Sequence, residues 1–156
     1  MFRSMRRFKQ QLSQEECIDI LKKEPRGVLA VHGEDGYPYA LPMNHIYIDE
    51  KLYFHCAKEG HKLDALKADS RVSFCVMDKG FRKEGEWALN IKSVIIFGKI
   101  KKVTDREKAL YVVRQLGLKH YPTPEGVEEE IRKSFDRVQL LELTIDHMTG
   151  KLVNES

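Results

Sequence analysis

Apolar and polar positions alternate along this chain with two different periods. Between Ser13 and Pro25, Cys17, Ile18, Ile20 and Leu21 form one helical stripe, and Ser13 with Glu16 has the spacing of a capping box that starts it. The pattern then changes to the β-capable run GVLAVH at 27–32, the turn residues GEDG at 33–36 and a second run, YPYALPMNHIYI, at 37–48. These predict two antiparallel strands joined by a hairpin.

Asp49-Glu50 makes a tight turn into KLYFHCA, a helix follows at about 61–69, and RVSFCVM at 71–77 resumes strand character. The polar, glycine-containing stretch 78–92, with Trp87, predicts a long loop between strands. SVIIFGKIKKV at 93–103 is the longest β-branched run and should be a central strand, with a bulge or close approach at Gly98.

Thr104 and Glu107 repeat the capping-box spacing ahead of Ala109, Leu110, Val113 and Leu116, and Gly117 is placed to end that helix. Thr123-Pro124 opens a shorter one, with Glu129 and Lys133 four apart on its exposed side. Leu141, Leu143 and Ile145 then share one face of a last strand running to Thr149-Gly150. About six strands occur mostly in succession, with four helices at the periphery. This order predicts a mainly β fold, an antiparallel barrel with helices at its ends, rather than a doubly wound α/β sheet.

Length adds that 1–156 is one compact domain, with 1–10 and 150–156 as loosely ordered ends. Apolar residues make up 42% and charged residues 33%, a globular composition without repeats. The basic start MFRSMRRFKQQ lacks the apolar core of a signal peptide, and no apolar run approaches a membrane span, so a cytoplasmic protein with no membrane partner is expected. Cys17, Cys56 and Cys75 are odd in number and lack CxxC spacing, which predicts reduced, mostly buried thiols.

Candidate chemistry gathers at FHCAKEGHKLDAL, 54–66. A helix N-terminus carries unpaired N–H groups and partial positive charge, so it attracts an anion. Gly60 lets a backbone come close, and His61 and Lys62 add cationic donors where the helix dipole disfavours them, a conflict that a bound phosphate removes. The bland alternative is two solvated residues at a helix start. The preceding strand carries His55 and Cys56 toward the same end, with Pro42, Met43 and Asn44 on its neighbour.

With these residues in place the chain resembles the flavin-binding split-barrel family that includes pyridoxamine 5'-phosphate oxidase, and most closely its nitroimidazole-resistance branch. The segments that carry the likeness are DGYPYALPMNH at 35–45, LYFHCAKEGHKLDAL at 52–66, RVSFCV at 71–76 and SVIIFGKIKKV at 93–103. The resemblance implies an FMN-binding split barrel and a homodimer with FMN at the subunit interface. It implies that Met43 and Asn44, mainly through their backbone, and His45 hold the flavin ring. His55 and Cys56 fall on the family's tyrosine-threonine pair, and Gly60, His61 and Lys62 fall on its phosphate-gripping serine, arginine and lysine. Ser93 falls where a glutamine contacts the flavin. The tryptophan and arginine that pyridoxamine phosphate oxidases carry near the C-terminus have no counterpart in LELTIDHMTGKLVNES, so oxidation of pyridoxamine phosphate itself is not expected.

The function implied is flavin redox chemistry, with electrons passing from a nicotinamide or other donor to a small electrophile such as a nitroaromatic compound. The alternative is a non-catalytic flavin or haem carrier or sensor, with His55 or His61 as a possible axial ligand. No catalytic acid or base is assigned. The six histidines form neither HxH nor HExxH, which argues against a metal site. Tyr37, Tyr39 and Tyr47 alternate as half-buried sheet residues do, which argues against nucleic-acid stacking. Ile95 and Phe97 alternate with the core positions Val94 and Ile96 and are candidates for the dimer face.

Overall fold

In the computed structural model, which describes residues 1–155, four α-helices surround one curled antiparallel sheet. The strands are β1 (Arg26–His32), β2 (Pro38–Asn44), β3 (Ile46–Ile48), β4 (Lys51–Ala57), β5 (Arg71–Met77), β6 (Leu89–Lys102) and β7 (Val138–Glu155). Their order in the sheet is β2-β1-β5-β6-β7-β4-β3, so β6 is central and β2 and β3 are the ends. The architecture is a split barrel, mainly β, with seven strands among the described residues where the pattern predicted about six.

The extra strand comes from one residue. His45 breaks the run 37–48 into β2 and β3, and its ring is fully buried beside Phe74. Asp49 and Glu50, with φ of 49° and 65°, form the tight turn into β4.

Helix α1 (Gln14–Lys23) begins with the predicted box: the Ser13 hydroxyl accepts from the Glu16 N–H and the Glu16 carboxylate from the Ser13 N–H. Helix α2 (His61–Ala68) follows β4 directly. Helix α3 (Arg106–His120) differs from expectation at both ends. Its cap is Asp105, whose carboxylate accepts from the Glu107 and Lys108 N–H groups, and not Thr104. Gly117 lies inside the helix because a Cβ there would come within 2.7 Å of Val127 of α4 (Pro124–Ser134), so the glycine serves close helix packing. Thr123 caps α4 as predicted, and Lys133 pairs with Glu129 at 3.0 Å.

The alternation along the strands sorts the sheet's two faces. Val72, Phe74 and Val76 of β5 and Val94, Ile96 and Ile100 of β6 point inward with Leu29, Leu52, Phe54, Leu141 and Leu143 to make the main core. Gly98 marks the bulge between β6 and β7, where a Cβ would collide with the Thr144 carbonyl. β7 is buried on both faces near its start, because Leu140 and Glu142 lie beneath α3 together with Tyr53.

Two further expectations are corrected. β6 begins at Leu89, which shortens the predicted loop, and Phe81 pairs with Asn90 beside it. β7 continues past Gly150 to Glu155, paired with β6 throughout, so 150–155 is strand and not a loose end. Ladder hydrogen bonds there replace the local apolar signal that this polar segment lacks. Among the described residues no helix is long and apolar enough to cross a membrane.

Candidate functional site

Local geometry at the start of α2 is set by Gly60. Its φ of 144° and ψ of 172° belong to a region that only glycine adopts without strain, and nothing lies within 4 Å of where a Cβ would be. The Gly60 carbonyl accepts from the Leu63 and Asp64 N–H groups, which winds the first turn and leaves the earliest N–H groups of the helix facing outward.

His61 and Lys62 are brought against β2. The His61 ring stacks on Tyr39 with centroids 4.3 Å apart and an interplanar angle of 17°. Lys62 Nζ lies 3.8 Å from Met43 Sδ, and among the described residues no carboxylate lies within salt-bridge distance of it. A thioether is a weak acceptor, so this ammonium keeps most of its capacity to bind an anion. The fold thus joins Met43, Gly60, His61 and Lys62, and Lys62 is close enough to His55 and Cys56 to act on both electrostatically. Burial, then the charges of His120 and Lys62, hold the His55 ring below its ordinary pKa. Burial pushes the Cys56 thiol up against the pull of Lys62 and Lys102, so it is a core thiol and not an activated one. Cys17 is likewise buried, so the free thiols are mostly buried as expected, with Cys75 exposed on the outer face of β5.

β2 is an edge strand, so one row of its N–H and C=O groups has no strand neighbour. Backbone groups alternate between β1 and this free edge along the strand, so one of the adjacent pair Met43 and Asn44 is placed to offer backbone hydrogen bonds there. His45 is not placed to offer its side chain: Nε2 donates to the Leu21 carbonyl at 2.8 Å, inside the core. Burial, and next the Lys119 charge, lower its pKa to about 3, so the ring is neutral.

Ser93 stands apart. It occupies a separate cleft with Met5, Arg6, Arg7, Thr149 and Lys151. Asn44 pairs with Arg26 and Ser93 with Met77, so three strand steps, roughly 14 Å at about 4.8 Å each, separate Ser93 from the β2 edge.

Sequence reasoning missed the end of α3. Lys119 Nζ donates to the Leu21 carbonyl at 3.3 Å and to the His45 carbonyl at 3.0 Å, and His120 Nε2 donates to the same His45 carbonyl at 3.1 Å. Burial lowers the Lys119 pKa to about 8 despite an opposing pull from Glu24. These bonds fix the break between β2 and β3, and with it the position of Asn44. No sequence spacing ties residues 119 and 120 to 45; only a basic ending to the helix was visible.

Asn44, His55 and His120 also line a cleft of about 80 Å³ between the sheet end and helices α3 and α4. Val113, Leu116, Val127, Ile131, Phe135 and Val138 supply its apolar wall.

On the sheet's outer face, Val28, Met77, Ile95 and Phe97 are exposed, the last two at 41% and 39%, while Val94 and Ile96 behind them are fully buried. Trp87 is 84% exposed.

Comparison with known proteins accords with this geometry. The family model described as pyridoxamine 5'-phosphate oxidase matches residues 13–152, and the chain belongs to that family. It is a flavin-binding split-barrel family. No curated protein matches the chain. A candidate 5-nitroimidazole antibiotic resistance protein from Bacteroides thetaiotaomicron shares the fold with a TM-score of 0.74 and 21% identity, over 93% of this chain and 87% of that one. The FAD and haem binding protein of Mycobacterium smegmatis aligns with a TM-score of 0.72 and 25% identity, over 92% and 73%. An FAD-binding protein from Mesorhizobium loti aligns at 0.66 and 24%, over 92% and 97%.

Proposed function

We propose that this chain is a cytoplasmic, homodimeric FMN protein that reduces a small electrophile of the nitroaromatic class. The observation that carries the reading is Lys62, an ammonium at a helix N-terminus whose contact in the fold is a thioether and not a carboxylate. Phosphate is the group that fits, since it meets both the helix N–H groups and the lysine charge.

When bound, FMN would supply electron-transfer chemistry between a nicotinamide or other donor and the electrophile. The chain's own residues bind and orient. Lys62 and the first turn of α2 hold the phosphate, with His61 braced on Tyr39 beside it. Gly60 keeps the approach to the backbone open. The free edge of β2 beside Met43 and Asn44 would hydrogen-bond the ring, and His55, its pKa held below the ordinary value, would border it. The apolar outer face of β1, β5 and β6 forms the dimer contact, because an exposed patch of this kind on a sheet is otherwise an aggregation hazard.

The visible spectrum of the purified protein, recorded before and after adding FMN and desalting, tests the cofactor. A retained two-band flavin spectrum is expected, and oxidation of reduced nicotinamide that depends on an added nitroaromatic tests the enzyme. Retained flavin without turnover would favour a carrier, and a Soret band would put haem in its place.

A further inference from the structure

The cleft between α3 and α4 has a polar side whose hydrogen-bonding sense can be worked out. His120 is bonded through Nε2 to the His45 carbonyl, and a carbonyl oxygen only accepts. Nε2 therefore carries the proton, and Nδ1 is the acceptor for as long as the ring is neutral. Burial first, then the charges of Lys119 and Arg26, hold its pKa below the ordinary value against the opposing effect of the His45 carbonyl. His55 also lines the cleft, and its pKa is likewise held below the ordinary value. Glu130, the carboxylate that lines the cleft, accepts from the Ser134 hydroxyl at 2.7 Å. The Asn44 amide and the Tyr121 hydroxyl group also line the cleft, and Val113, Leu116, Val127, Ile131, Phe135 and Val138 make the rest of the wall apolar.

A volume of about 80 Å³ is far below the roughly 300–1,000 Å³ of sites for drug-sized ligands, so the cleft suits a single small ring. We infer that this cleft is the substrate pocket and that His120 makes it select small unsaturated rings carrying an N–H or O–H donor. An azole with a free ring N–H satisfies the histidine acceptor; the same ring methylated on that nitrogen leaves this half-buried acceptor without a partner from the ligand. Loss of a partner for a buried polar group is the larger side of hydrogen-bond energetics, and it separates ligands more sharply than apolar contact does. Calling the ring a substrate rests on the flavin reading, through Asn44 and His55, which the cleft shares with the cofactor site. The preference for a donor does not.

Two isomeric probes test it, 2-methyl-4-nitroimidazole with a free ring N–H and 1-methyl-4-nitroimidazole without one, which are matched in atom count. Affinities are measured by ligand-observed NMR on the full chain, with and without FMN. The N–H isomer is expected to bind about tenfold tighter. His120→Leu should erase the difference, and His120→Gln should restore most of it, because a side-chain amide can donate to the His45 carbonyl and present an oxygen to the cleft. Equal affinities in the native protein, binding of neither isomer, or a preference that survives His120→Leu would each overturn the inference. If the leucine variant does not fold, the native comparison and the glutamine variant still decide. A donor preference in protein that retains no flavin would sink the flavin reading alone; retained flavin with no preference would sink only the pocket.

Discussion

Two lysine-rich regions of this molecule handle charge in opposite ways. Beneath α3, the fully buried Glu142 gathers three lysines: Lys108 bonds Oε1, and Lys101 and Lys51 approach Oε2 at 3.3 and 3.5 Å, while the Tyr53 hydroxyl donates to Oε1 at 3.0 Å. At the start of α2, Lys62 faces a methionine sulfur and an unblocked helix end. The first region contains its own counter-charge and is finished as a piece of structure. The second leaves its charge with no carboxylate partner among the described residues. Cationic residues point to a binding site only where the fold does not neutralise them, and that difference separates two clusters of similar composition.

The largest expected effect sharpens the closed side. Glu142→Ala removes a buried carboxylate and leaves the Tyr53 hydroxyl and the lysines without a partner, at about 3 kcal/mol of stability. Denaturant titration should show that loss with flavin affinity unchanged. Burial opposes ionisation of Glu142, but bonds from Lys108, Tyr53 and Lys101 outweigh it and hold its pKa at about 2. An unfolded glutamate binds its proton near 4.5, so the stabilisation is complete above that pH and disappears as pH falls toward 2. The native protein should therefore lose stability through this window more steeply than Glu142→Gln.

On the open side, Lys62→Ala should weaken FMN binding about thirtyfold, or about 2 kcal/mol, while leaving the melting temperature of the flavin-free protein within a degree or two. A large loss of stability with unchanged affinity would make the two regions alike and break the comparison. Gly60→Ala should cost about 1 kcal/mol through backbone strain alone, since the position has room for a methyl group. A variant as stable as the native chain would show that the glycine's positive φ is not needed to start α2.

Strand faces and the starts of α1, α2 and α4 were readable because they depend on neighbours a few residues apart. Ser13 and Glu16 meet within one turn, and Val94 and Ile96 share a face through the pleat. The turn into α2 was legible for the same reason, as Gly60, His61 and Lys62 are consecutive. What misled were residues whose role is set by distant partners. His45 sits in a strand pattern beside Met43 and Asn44, yet its ring is taken up by Leu21 and Phe74. Gly117 has the look of a helix end and is instead a packing surface for Val127.

By itself, then, the amino-acid order determined the alternation of strands, the caps of α1 and α4, the glycine at the α2 turn and the family resemblance, all of them patterns within short windows. Only the tertiary structure decided that Lys62 meets Met43, that Lys119 and His120 hold the His45 carbonyl, and that Glu142 answers three lysines from separate elements. Each of those pairings crosses tens of residues, and its energy depends on burial and distance, which have no value until the sheet has closed around them.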